Sequence, residues 1–414
     1  MHLCHSQLKG NRLFRPLFLL VFCFSAFVGN GLLYAEGSVR VVLDQFGGLS
    51  AQRSDVAPLP RLAAEFENPR VLLLSVSDWQ PHHRHVLVEI AQKTAGHVNL
   101  LVLCNDTAQI KETTKWLLEK GSEFPHVYFC EIELNTVWLR DFGPIFAQTE
   151  TGAMALDFYY EGTRPKDDAL PEKWCDRSDC QHVKVPWTAH GGNLMSNGQG
   201  LALSTNRIFI DNYIKFPKTG RKINPEQERR VLVVKELMKF CNLSQLVVLE
   251  PLQEESTKHV DMFTSFISKN DLLVAQIDPR RDPVNAKIME RNIIRLKRIK
   301  VDGEPLRVHP VPIPVRDGKA WSAYTNSIVA RNLVLLPVYD SDPPHITRAA
   351  AAAYRRLLPK HRIETIDMTS MKKLQGELHC LSLHVPAFVP LPDRIYSFDN
   401  SQKAYYPQGL KPQP

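Results

Sequence analysis

From residue 70 onward, short apolar runs alternate with stretches of helical spacing. Segments 71–76, 98–104 and 127–133 read as strands; 81–95 and 108–120 place apolar residues on one helical face. The pattern continues with a helix over 225–240, a strand over 246–250 and a strand pair at 260–267 and 271–277. A helix over 285–299, strands over 306–312 and 327–338, and a helix over 344–358 follow. A segment at 363–368 and a strand over 378–385 complete it. Intervals between helices hold two or three strands, which predicts an α/β chain without a one-strand, one-helix rhythm. Residues 161–190 form the longest irregular stretch, and loops of that length commonly carry function. The proline- and polar-rich tail from Pro390 is expected to wrap the surface.

The N-terminus departs from this pattern. Lys9, Arg12 and Arg15 precede an apolar run over 17–28, too short to span a bilayer comfortably, and small residues end at Ala35. This predicts a secretory signal over 1–35 cut after Ala35, and an exported protein, periplasmic or secreted, with an uncleaved anchor as the alternative. A 36–69 extension, a catalytic region over 70–395 and a 396–414 tail are the remaining divisions.

Losing residues 1–35 removes three basic residues and no acid, so the formal charge falls from +7 to +4. That mild, scattered excess supports no nucleic-acid partner, and no stable membrane insertion is expected after cleavage. The basic run 291–300 reads as a solvated amphipathic helix.

Six cysteines remain beyond residue 35. Cys104 and Cys130 end apolar runs and read as core thiols. Cys175 and Cys180 lie in a polar segment and are the disulfide candidates in an oxidising compartment. With His182 and His190 they match no common zinc spacing, so no metal is expected.

Four distant segments carry the chemistry. If the expected strand 260–267 begins at His259, His259 and Asp261 alternate onto one face, although a structural polar pair at a strand end fits equally well. Arg140 and Asp141, followed by Phe-Gly-Pro, suggest a tight turn at a core edge. His190-Gly191-Gly192-Asn193 lacks the spacing of a phosphate cradle and instead favours close backbone approach. Cys380 opens an apolar run, where a thiol is more often core than nucleophile. His379 would face away from it on a strand, which leaves His259 as the better base.

Together, WLRDFGP, DFYYEGTRPKDD, HGGNLMSNGQG, KHVDMF, AYTNSIVARNLVLLPVYD and GELHC resemble the bacterial (Porphyromonas-type) peptidylarginine deiminase and agmatine deiminase family. The resemblance implies an α/β fold, a five-bladed pseudo-fivefold (pentein-type) propeller around a central pocket. It implies hydrolysis of a guanidinium to a ureido group plus ammonia, with no cofactor. By motif, Cys380 is the nucleophile, His259 the general acid and base, and Asp141 and Asp261 the guanidinium clamp. Asn326, Asn193 and Trp138 fall in the pocket wall.

These types suit the chemistry. A guanidinium is planar, cationic and rich in N–H donors, which paired carboxylates match. The attacking species must be a thiolate. If Arg164, in the 161–190 stretch, faces the pocket, it would bind the carboxylate of arginine, free or at a peptide C-terminus; a plain surface arginine is the alternative. The segment around it resembles the peptidylarginine branch, and agmatine-type glycine runs before the His-Cys pair are absent. The expected substrate is therefore a small guanidine or an arginine-containing peptide, with C-terminal peptidyl-arginine as the main reading. Agmatine deimination, an inactive exported guanidine-binding relative and a cysteine amidase are the alternatives. Two carboxylates beside the thiol argue against the amidase.

Overall fold

The computed structural model describes residues 24–28, 31–36, 38–44, 48–119, 123–213, 225–318, 320–374 and 376–398. Its architecture is α/β with mixed sheets. One arrangement recurs five times among the described residues. A short strand pairs antiparallel with the next, which pairs in parallel with a third reached through a helical crossover. Parallel neighbours need such a crossover, whereas antiparallel ones need only a turn.

Ile145–Gln148, Ala153–Tyr159 and Cys180–Thr188 form one unit. Met195–Ser196, Leu201–Thr205 and Gln245–Leu249 form the second. The third is Thr264–Phe266, Asp271–Gln276 and Arg307–Pro312. The fourth is Ile328–Ala330, Leu333–Val338 and Arg362–Asp367. The fifth joins distant parts of the chain: Ser382–Pro386 runs antiparallel to Pro69–Ser75, which pairs in parallel with Asn99–Cys104.

Local chemistry explains the elements. Asn99–Cys104 is buried at every position, as a parallel strand covered on both faces requires. Asp106 caps Thr107–Leu118 by accepting the Gln109 N–H at 2.7 Å, and Asp282 caps Pro283–Leu296 through Asn285 N–H at 3.1 Å. Helix Pro344–Leu357 starts with proline at its first position and buries Ala350, Ala351, Ala353 and Tyr354. Leu72, Leu74, Val102 and Phe129 pack with Val86, Leu87 and Ile90 in the largest core cluster. Each such side chain contributes about 1.5–3 kcal/mol on burial.

Several expectations change. His259-Val260-Asp261 is not strand: His259 precedes the 3₁₀ turn Val260–Met262, and the strand begins at Thr264. Asn193 Oδ1 accepts the Val260 N–H at 3.2 Å, which takes that donor out of any ladder. The 161–190 stretch is ordered as helices Pro165–Asp168 and Leu170–Cys175 and strand Cys180–Thr188. Asp167 anchors it by accepting the backbone N–H groups of Asn135 and Thr136. The 327–338 strand is a hairpin, broken where Arg331 takes φ 49°.

The basic helix is not simply solvated. Arg295 is buried, donating through Nε to Asp44 at 2.9 Å, and Arg291 pairs with Glu250. Cys175 and Cys180 are free thiols, while Cys104 and Cys130 are fully buried as expected.

The 36–69 segment is integral to the fold. Val39–Asp44 and Leu49–Arg53 extend the sheet of the second unit by pairing Leu49 with Val248. Most of the expected signal lies outside the described residues, but Phe24–Val28 and Gly31–Glu36 pair antiparallel beside Val39–Asp44. In the expected tail, Ile395–Ser397 pairs with Val127–Glu131, and 399–414 lie outside the described residues. No described helix is long and apolar enough to cross a membrane.

Candidate active site

Each unit is entered through a tight turn, and the turns carry the reactive side chains. Asp141 lies in the one-turn helix Leu139–Phe142, before Ile145. His190 and the turn Gly191–Asn193 precede Met195; His259 and Asp261 precede Thr264. Asn326 precedes Ile328, and Cys380 precedes Ser382. The repeat in the fold thus gathers residues from five sequence-distant segments.

Cys380 is 3% exposed. Its Sγ lies 3.8 Å from Asp261 Oδ2, and Asn326 Nδ2 lies 3.5 Å from it. Asn326 Oδ1 accepts the His379 N–H at 2.9 Å and the Cys380 N–H at 3.4 Å, so one amide sets the Cys380 turn. Arg140 N–H reaches Cys380 O at 3.2 Å, which ties this turn to that of Asp141.

His259 has two distinct edges. Nε2 faces His190 Nδ1 at 3.2 Å, and Nδ1 faces Asp141 Oδ1 at 3.4 Å. A proton on each His259 nitrogen satisfies both contacts, with His190 Nδ1 as acceptor. Burial alone would lower the His259 pKa, but the Asp141 and Asp261 carboxylates outweigh it and hold it above the ordinary value. Burial and the neighbouring His259 charge press His190 down to about 3, so His190 stays neutral. Burial works to raise Asp141, and the His259 charge overcomes it and keeps the carboxylate ionised.

Gly192 marks the binding space. A Cβ there would lie 2.8 Å from Asp141 Oδ1, 2.9 Å from Asp261 Oδ2 and 2.9 Å from His259 Nδ1. Asp261 Oδ1 is buried without a hydrogen-bond partner, and Asp141 Oδ1 has only the long 3.4 Å contact with His259 Nδ1. Buried acceptors of that kind are costly unless a ligand satisfies them. A flat, cationic donor group supplies what they lack.

This space opens into a pocket of about 200 Å³. Trp138 and Leu374 give it an apolar wall; Arg164, Arg207 and Glu161 give it charge. Arg164 donates to Tyr160 Oη at 3.0 Å. Gly376 exists at this position because a Cβ would sit 2.1 Å from the Trp138 ring. Asn193 is not a lining residue: its Oδ1 accepts from Thr205 and Val260, and so fixes the turns that present His190 and His259. Asp141, His190 and His259 offer ligand atoms within 4.8 Å of one another, the one group among the described residues close enough to hold a cation.

Sequence reasoning did not assign His190, His379, Glu65 or Arg207. His190 was visible in its Gly-Gly motif, but its edge-to-face contact with His259 is purely tertiary, with ring centroids 5.1 Å apart. Glu65 lies 314 residues from its partner His379 and inside what read as an extension, so no spacing pattern betrays it.

The family model described as Porphyromonas-type peptidyl-arginine deiminase matches residues 63–386. Agmatine deiminase of Stutzerimonas stutzeri is 21% identical over 300 residues, covering 64% of this chain and 78% of that protein. A Porphyromonas gingivalis structure with the provisional name arginine deiminase superposes with a TM-score of 0.65 at 21% identity, over 80% of this chain and 99% of that one. Agmatine deiminase of C. jejuni gives 0.62 at 20%, over 78% and 95%. The match over most of the chain, on the segments that build this site, places the protein in the Porphyromonas-type peptidyl-arginine deiminase family, among the hydrolases of amidine C–N bonds.

Proposed function

We propose that the protein hydrolyses the guanidinium of peptidyl-arginine, preferentially at a C-terminus, to citrulline and ammonia. The observation that carries the reading is the space beside Gly192, where carboxylate oxygens of Asp141 and Asp261 meet His259 Nδ1 and the Cys380 thiol. The five units form, on this reading, a five-bladed pseudo-fivefold propeller with the site on its axis. The basic and apolar N-terminus supports export of the chain, with cleavage after Ala35.

The steps follow from the groups present. Asp141 and Asp261 bind the guanidinium through its N–H donors and fix its plane. As the guanidinium binds, the Cys380 thiol loses its proton to solvent, and the thiolate attacks the central carbon to give a tetrahedral adduct. His259 gives its Nδ1 proton to the departing nitrogen, the C–N bond breaks and ammonia leaves. The amidino-thioether on Cys380 is then attacked by water, which His259 deprotonates. The C–S bond breaks, the thiolate returns and the ureido product is released. No cofactor takes part.

Arg164 and Arg207 at the pocket wall favour a substrate carrying a carboxylate beyond its guanidinium. Agmatine, with an amine at that end, is the second reading. Glu161 in the same wall would receive it, and the relatives named agmatine deiminase favour it. Ureido formation by residues 36–414 on an arginine-ended peptide, free arginine and agmatine separates the two. Preference for the peptide supports the proposal; preference for agmatine replaces it.

A further inference from the structure

Behind the guanidinium clamp runs a charged chain that the reaction above does not use. His379 Nδ1 bonds Asp261 Oδ2 at 2.8 Å, and His379 Nε2 bonds Glu65 Oε2. Glu65 Oε1 in turn accepts from Arg140 NH1 at 2.6 Å. Arg140 NH2 meets His384 Nδ1 at 3.2 Å, and His384 Nε2 faces the Val329 carbonyl at 3.0 Å. His379 is 4% exposed and Asp261 1%. Asp261 therefore spends one oxygen on His379, while Oδ1 is left without a partner.

We infer that Glu65 is a positioning residue of this active site: acting through His379, it fixes Asp261 by Oδ2 and so sets the orientation in which the carboxylate meets the guanidinium. The inference rests on the deiminase reading of the site. A neutral imidazole can donate from only one nitrogen, whereas contacts to two carboxylates, on Nδ1 and Nε2, require an imidazolium. Glu65 supplies the second anion that keeps both protons in place. The groups facing His379 are Asp261, Glu65, Arg140, His384 and the adjacent Cys380. Burial and the Arg140 charge oppose its protonation; Glu65 and Asp261 overcome them, and its pKa stands above the ordinary value. Arg140 also keeps Glu65 ionised against burial. The segment that read as an N-terminal extension thus reaches the centre of the site.

The test uses Glu65→Gln, Glu65→Asp and the native chain. Gln keeps the size and removes the charge, so His379 loses its second proton at a lower pH. The ratio of kcat/KM in Glu65→Gln to native is expected to fall as pH rises, by about ten-fold per unit pKa drop once His379 is neutral. The loss falls mainly on KM, because Asp261 binds substrate, and Glu65→Asp restores the native profile. A ratio independent of pH would overturn the inference, since a merely structural role lowers activity uniformly. A second readout needs no turnover. In ¹⁵N-histidine-labelled native protein, His379, assigned by its loss in His379→Gln, should stay doubly protonated above the ordinary histidine range. A neutral His379 in the native protein contradicts the inference even if Glu65→Gln does not fold. If the native chain turns over no guanidine while His379 is doubly protonated, the deiminase reading fails and the positioning chain stands.

Discussion

Cys380 Sγ stands 3.8 Å from the Asp261 carboxylate, a poor place to make a thiolate. Burial pushes the thiol pKa well above its usual value, and the charges of Asp261 and Asp141 push it further. A guanidinium arriving between those carboxylates cancels the repulsion at the moment the nucleophile is needed. On the proposed mechanism, substrate charge is therefore part of the catalytic machinery, and the thiol stays largely protonated without it.

Gly192→Ala should weaken substrate binding while sparing the fold. The added Cβ enters the space bounded by Asp141, Asp261 and His259. A misplacement of that size costs about a hundred-fold in kcat/KM. Thermal unfolding should change little, and KM should carry most of the effect; an unchanged KM would place the guanidinium elsewhere.

Asp141→Asn should move the pH dependence of His259. Asp141 faces His259 Nδ1 at 3.4 Å, and its charge keeps the imidazolium protonated above the ordinary value. Without that charge, burial prevails and the proton is lost at lower pH. The basic limb of kcat should shift to lower pH. Histidine titration by NMR checks the sign independently, and a shift to higher pH would contradict it.

Arg164→Gln should change which guanidine is preferred. Its loss costs a charge-assisted hydrogen bond to a carboxylate, about 10–100-fold in kcat/KM on an arginine-ended peptide. Agmatine, which has no carboxylate, should be affected far less. Equal losses on both would return Arg164 to the structural contact it makes with Tyr160.

Much of the fold and site was legible because apolar periodicity and motif identity are local. The helix at 225–240 falls where its spacing predicts, and Cys380, His259, Asp141, Asp261 and Asn326 converge. What escaped depends on tertiary contact. Strand alternation seemed to put His259 and Asp261 on one face, yet a turn held by Asn193 brings them together. Asn193 looked like a wall residue and instead ties three segments. Ordering of 161–190 required Asp167 to find the backbone at 135–136, which no local window contains.

Glu377→Gln should alter stability with pH. Burial raises Glu377 to about 8 from an ordinary 4.5, and its carboxyl meets the Ala323 N–H at 2.9 Å. The folded state thus prefers the protonated form. That contribution is complete below about pH 4.5 and is lost as pH rises through about 8. Gln stays neutral, so the variant should match the native chain near pH 5 in urea unfolding. Near pH 9 it should exceed the native chain by about 2–4 kcal/mol. A variant equally destabilised at both pH values would contradict this.

The most direct measurement is intact and peptide mass spectrometry of the protein quenched in acid during turnover of an arginine-ended peptide. The account predicts an adduct on Cys380 equal to the guanidine substrate less ammonia, absent in Cys380→Ala together with all turnover. Ureido product from Cys380→Ala, or an adduct on another residue, would contradict it.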